Sequence, residues 1–165
     1  MATNNVINQI GPVPLFSAYC AADQSNVTGD GTVYTLTFPN ILQNITSSFN
    51  GTSIFTAPLN GMYQFNVGLY FNGFTGNNAT VTAALKLVTT SKTYLLYFWG
   101  QNAGQYLPPV ALNQTVSQIC QLTAGDTAYV TLESNNDATK SISIIGKTNL
   151  TSYTPIFSGY MITGI

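Results

Sequence analysis

Residues 54–71 read IFTAPLNGMYQFNVGLYF. Beyond the Pro58-Leu59-Asn60-Gly61 turn, Met62, Gln64, Asn66 and Gly68 alternate with Tyr63, Phe65, Val67, Leu69 and Phe71. Strict period-two alternation in a Tyr/Phe/Val-rich run predicts a strand whose large apolar groups share one face. Pro58 fixes the approach to the turn, and Asn60-Gly61 supplies residues that tolerate positive φ. Two antiparallel strands joined by a short loop follow, the second long and central.

Working outward, three more segments stand in a fixed order: Phe16-Ser17-Ala18, then Leu122 with Gly125-Asp126, Tyr129-Val130 and Leu132, then Phe157-Ser158-Gly159-Tyr160. Together with Phe55-Thr56-Ala57-Pro58, Gly61, Tyr63 and Phe65 this set resembles the globular C1q domain of the C1q/tumour-necrosis-factor superfamily, over about residues 14–165. The resemblance implies an all-β, two-sheet antiparallel jelly-roll sandwich of about ten strands, assembling as a compact homotrimer. It also implies an opening strand paired antiparallel with the closing one, with Cys20 and Cys120 on strands that are not neighbours. Residues 1–13 are polar, end in Gly11-Pro12-Val13-Pro14, and are expected to be a leader or a linker to a stalk.

The residues independently support an all-β chain. Apolar positions do not recur at helical spacing for more than a turn or two, while Gly, Asn and Pro punctuate the chain about every ten residues. The run Thr93–Trp99, TYLLYFW, is apolar on both faces, so it requires cover from the core and from outside alike. No stretch reaches the roughly 18 apolar residues of a membrane span, and residues 1–14 do not resemble a signal peptide.

Composition narrows the function. Charged residues make up 5% of the 165, against about a quarter in ordinary soluble domains, and with four lysines and no arginine there is no basic footprint for nucleic acid or anionic lipid. Histidine is absent, which removes Ser-His-Asp and Cys-His nucleophilic centres and His-ligated zinc. The chain is therefore not expected to be an enzyme. Calcium binding occurs in some members of the resembled family, but Asp23, Asp30, Asp126 and Asp137 are few loop acids for such a site, and neither metal nor cofactor is expected. Asp126 reads as a turn cap, and Cys20 and Cys120 as small buried hydrophobes. Six N-x-S/T triplets, at Asn26, Asn44, Asn50, Asn78, Asn113 and Asn149, barely exceed chance in so Asn/Thr-rich a chain, and glycosylation is not expected.

Eleven aromatic residues on the expected strands from Tyr63 to Tyr160 exceed what one face of two small sheets can bury, so an interface is expected, with Tyr63, Phe65, Tyr129 and Tyr160 at a threefold axis. Strand reversal predicts that the connections 72–79, 100–113 and 134–155 share the end opposite the termini. They carry Asn77, Asn78, Gln101, Asn102, Gln105 and Asn136 for hydrogen bonds and Phe74, Tyr106 and Tyr153 as stacking platforms, a chemistry suited to neutral sugars. The expectation is a non-enzymatic trimeric recognition head on an extracellular or virion fibre tip, binding a cell-surface glycan or protein receptor without membrane insertion. A structural capsid or surface building block, and a secreted C1q-like pattern-recognition protein, are the alternatives.

Overall fold

The long alternating run becomes the hub of the larger sheet. The computed structural model describes residues 11–74, 82–100, 112–135, 137–147 and 154–165, in which strands and turns are the only regular structure. Twelve strands follow in order: β1 (Leu15–Tyr19), β2 (Gln24–Thr28), β3 (Val33–Thr35), β4 (Asn40–Ile45), β5 (Phe55–Thr56), β6 (Gly61–Asn72), β7 (Thr82–Thr89), β8 (Thr93–Trp99), β9 (Leu112–Leu122), β10 (Thr127–Asn135), β11 (Ile142–Ile144) and β12 (Ile156–Gly164).

A seven-stranded sheet runs β2-β11-β6-β12-β1-β4, with β9 on the other edge of β6, and a five-stranded sheet runs β3-β10-β7-β8 with β5 beside β10. All pairings are antiparallel, as expected, and β1 lies against β12 with Leu15 opposite Tyr160. Two strands exceed the expected ten because short β2 and β11 (QSNVT and ISI) carry no alternation long enough to separate them from loops.

Alternation sorts the faces. Tyr63, Phe65, Val67, Leu69 and Phe71 are at most 1% exposed and meet the core side of the smaller sheet, where Leu85, Leu87, Val130 and Leu132 are fully buried. Phe16, Phe49, Phe55, Phe65 and Phe157 form one ring cluster, with Phe16 stacked 4.9 Å from Phe49 and edge-on 4.8 Å from Phe157. Such pairs contribute about 0.5–1.5 kcal/mol each beyond the area they bury. Tyr63 keeps its polar end satisfied by donating its hydroxyl to the Leu59 carbonyl at 2.7 Å.

Three local expectations are met. Asp126 caps its turn by accepting the Thr123 N–H at 2.8 Å. Cys20 and Cys120 are unbridged and buried. Burial pushes both thiols up, Cys120 to about 11.

Gly61 is a correction. It does not lie at positive φ; it opens β6, and a Cβ there would stand 2.6 Å from the Thr163 carbonyl oxygen. The requirement is for space between β6 and β12, not for a left-handed turn. Gly61→Val is expected to cost on the order of 3 kcal/mol through displaced backbone. An unchanged chemical-denaturation midpoint would refute that close approach.

Candidate functional site

The strand registers bring one set of connections together. Thr82 pairs with Asn135, Ala83 with Trp99 and Phe71 with Leu112, so the ends of β6, β8 and β10 and the starts of β7 and β9 meet at one end of the sandwich, here called apical. Gly61 pairs with Gly164 and Leu15 with Tyr160, which puts the start of β1 and the end of β12 at the opposite, basal end. Asn77, Asn78, Gln101, Asn102, Gln105, Tyr106, Asn136 and Tyr153 lie outside the described residues.

Phe74 is described, and it is not a stacking platform. It is 4% exposed and stands edge-on to Phe71 at 5.6 Å, closing the apical end of the core. Trp99 joins the same floor, edge-on to Phe71 at 4.9 Å. Among the described aromatics Tyr97 and Phe98 reach solvent near there, 39% and 53% exposed, with Tyr97 4.6 Å from the Trp99 ring. A register shift at Leu85/Lys86 breaks the simple alternation of TYLLYFW, which hid that position from a period-two reading.

A second surface is the outer face of the larger sheet. Ile119, Gln64, Tyr160, Leu15 and Ile45 stand side by side across β9, β6, β12, β1 and β4. Tyr160 donates its hydroxyl to Gln64 Oε1 at 3.0 Å along this row. Ile119, Ile45 and Ile162 are close to half exposed, and no charged residue stands in the row. The next row toward the apical end, Ser117, Asn66, Ser158, Ser17 and Gln43, is polar, so the apolar band is confined to the basal half.

Tyr63 and Phe65, expected at an interface, are instead inside the single-chain core at 0% and 1% exposure. The strand was identified correctly and the face was not, because the larger side chains of an alternating strand fill the core and leave Met62 and Gln64 outside. Tyr160 does lie on the outer band. Tyr129 faces out from the other sheet, opposite Val88. Uncovered apolar groups also mark the β8 edge, where Leu95 is 59% and Phe98 53% exposed. Among the described residues nothing supplies the outside cover that TYLLYFW requires.

Charge plays a small part. Lys86 Nζ stands 2.7 Å from Glu133 Oε2, and this hydrogen bond followed by one from Asn135 holds the Glu133 carboxyl below its ordinary range. The side chain of Thr32, and after it the Thr32 backbone, lower Asp30 likewise. Both carboxyls bind protons less readily when folded, so their contribution is present above the unfolded carboxylate range, about pH 4, and is lost below it as pH falls through the lowered folded values. With no histidine to titrate above that, the melting temperature is expected to be flat from about pH 5.5 to 7.5 and to fall below about pH 4.5. A step near pH 6.5 in a melting series would contradict this. Among the described residues no three Cys, Asp or Glu side chains gather into a metal-holding group.

Comparison with known proteins fits this geometry. The globular domain of zebrafish complement 1qA superposes with a TM-score of 0.60 at 18% identity, covering 92% of this chain and 99% of that one. Murine APRIL superposes at 0.55 with 10% identity, covering 92% and 100%. No curated protein matches the sequence. The C1q domain family matches residues 18–162, nearly the whole described sandwich, and the chain belongs to that family.

Proposed function

We propose that this C1q domain is a homotrimeric, non-enzymatic recognition head at the tip of a fibre, extracellular or on a virion, that binds a cell-surface ligand such as a neutral glycan. Domains of this family self-associate as trimers and bind receptors. The observation that carries the reading here is the uncharged band Ile119-Gln64-Tyr160-Leu15-Ile45, which a lone chain leaves to water. The exposed β8 edge belongs to the smaller sheet and is a different surface. Two unlike apolar surfaces on one chain fit head-to-tail contacts, and such contacts form a ring where the rotation between chains closes. The low charge favours the same outcome, since burial of apolar area depends little on salt.

The ligand is assigned to the apical connections by their position. The strands that flank them end beside the Phe71-Phe74-Trp99 floor, opposite the end at which a stalk would enter, and binding residues concentrate on loops held by such scaffolds. Asn77, Asn78, Gln101, Asn102, Gln105 and Asn136 are the proposed hydrogen-bonding groups, with Tyr106 and Tyr153 as ring platforms. Tyr106→Ala/Tyr153→Ala is expected to lose at least tenfold in affinity on a neutral-glycan array or on whole cells while keeping the wild-type mass. Full retention of binding would move the site off these loops. Absence of binding by the wild-type protein to both glycans and cells would favour the structural building block.

A further inference from the structure

The dipeptide Asn-Gly occurs at Asn50-Gly51, Asn60-Gly61 and Asn72-Gly73. A glycine after asparagine leaves the next backbone nitrogen uncrowded, so that it can close a five-membered ring on the asparagine side-chain carbon. The fold treats the three pairs differently. Asn60 Oδ1 accepts the Ala124 N–H at 2.8 Å, the Asn60 carbonyl accepts the Ile165 N–H at 3.3 Å, and Gly61 lies between Leu122 of β9 and Gly164 of β12. Asn72 ends β6 opposite Ser143 of β11, and Gly73 packs against the Ser141 carbonyl. Ring closure at either pair has to pull strand backbone out of register. Asn50-Gly51 lies instead in the connection between β4 and β5, with Asn50 exposed.

The hydrogen bonds at Asn50 favour attack on its side chain. Oδ1 accepts three backbone N–H groups, from Thr52 and Ser53 at 2.9 Å and from Ile54 at 3.0 Å. They draw electron density from the side-chain carbon and face the oxygen that turns anionic when that carbon is attacked, as the donors of an oxyanion hole do. Among the described residues nothing accepts a hydrogen bond from the Gly51 N–H or from Asn50 Nδ2, so nucleophile and leaving group are both unengaged. We propose that Asn50-Gly51 is a self-modification site at which Asn50 converts to aspartate and isoaspartate. Hydroxide takes the Gly51 amide proton, and the nitrogen bonds to the Asn50 side-chain carbon. The bond from that carbon to Nδ2 then breaks, ammonia leaves with a proton from water, and hydroxide is regenerated. Water opens the cyclic imide, giving aspartate when it attacks the side-chain carbonyl and isoaspartate when it attacks the backbone one. The aspartate product keeps the three N–H donors, which hold a carboxylate more strongly than an amide. Each conversion adds a negative charge to a chain of net charge −1, beside Ile41 of the edge strand β4, whose Cδ1 lies 3.6 Å from where a Cβ at Gly51 would stand.

Peptide mapping by mass spectrometry tests this on the full chain, held at mildly alkaline pH both folded and in denaturant. Unfolded, the three pairs are expected to convert at similar rates. Folding is expected to slow Asn60 and Asn72 at least tenfold while leaving Asn50 at its unfolded rate or faster. Protection of Asn50 equal to that of the other two would overturn the proposal, as would faster conversion of Asn60 or Asn72 in the folded chain. In the Asn50→Gln protein the ring would need a sixth member, and the side-chain amide at position 50 is expected to survive at least tenfold longer than in the wild type. Loss of that amide at the wild-type rate would show that the reaction does not run through Gly51, and would overturn the proposal as well.

Discussion

Gly159→Val is expected to lower the melting temperature by about 6–12 °C, corresponding to roughly 3 kcal/mol in a chain of this size. Gly159 lies on β12 between Phe16 of β1 and Phe65 of β6, and the registers place it directly opposite both. A Cβ there would meet Phe65 Cδ1 at 2.6 Å and Phe16 Cε1 at 2.7 Å. Both rings are at most 1% exposed and pack on Phe55 and Phe157, which leaves them nowhere to rotate. Overpacking then displaces strands or forces rings off their rotamers, at about 1–3 kcal/mol and occasionally more. Gly159→Ala is expected to err in the same direction by less. Combining it with Phe65→Leu should cost less than the two single changes added together, because the smaller side chain makes room for the new methyl. Strict additivity in calorimetry would show that Phe65 is not what Gly159 accommodates.

The same glycine shows how far the sequence could be read. Phe157-Ser158-Gly159-Tyr160 identifies the closing strand, and it is the resemblance it carries together with Phe16-Ser17-Ala18, Phe55–Phe65 and Leu122–Leu132 that implies the jelly roll and the pairing of β1 with β12. Reading which way each side chain points was harder. The aromatic excess implies an interface, and Tyr63 and Phe65 are expected there because they lie on a long strand that carries the family motif, yet the core holds Tyr63, Phe65, Phe71 and Phe157 at 1% exposure or less. Much of the surplus apolar surface is aliphatic instead, carried by Ile45, Leu95, Ile119 and Ile162, isolated positions that no single-strand pattern marks as neighbours. They become a band only through cross-strand register. The Gly61 turn failed for a related reason: Asn-Gly signals permissive backbone, whereas the constraint came from Thr163 a hundred residues away. Local chemistry was legible in Asp126, whose cap involves only its own turn.

Tyr160→Lys is expected to turn the proposed trimer into monomers at micromolar concentration while leaving each chain folded. Tyr160 is 36% exposed in the single chain, so a lysine there has room and water, and the fold loses mainly the hydroxyl bond to Gln64, about 1 kcal/mol. In the trimer the substitution acts three times. Each ammonium would have to leave water beside Ile119, Leu15 and Ile45, a row without an acid to pair it, and an unpaired buried charge costs about 3–5 kcal/mol. High salt screens repulsion among the three lysines but does not remove the desolvation cost, so 1 M salt should restore little of the assembly. Tyr160→Phe keeps the apolar area and is expected to remain trimeric. Light scattering distinguishes the states directly, since the wild type and Tyr160→Phe should show three times the 17.7 kDa of one chain and Tyr160→Lys a single chain. A Tyr160→Lys protein with the full three-chain mass would place the threefold contact away from the basal band, and a monomeric wild type would refute the trimer itself.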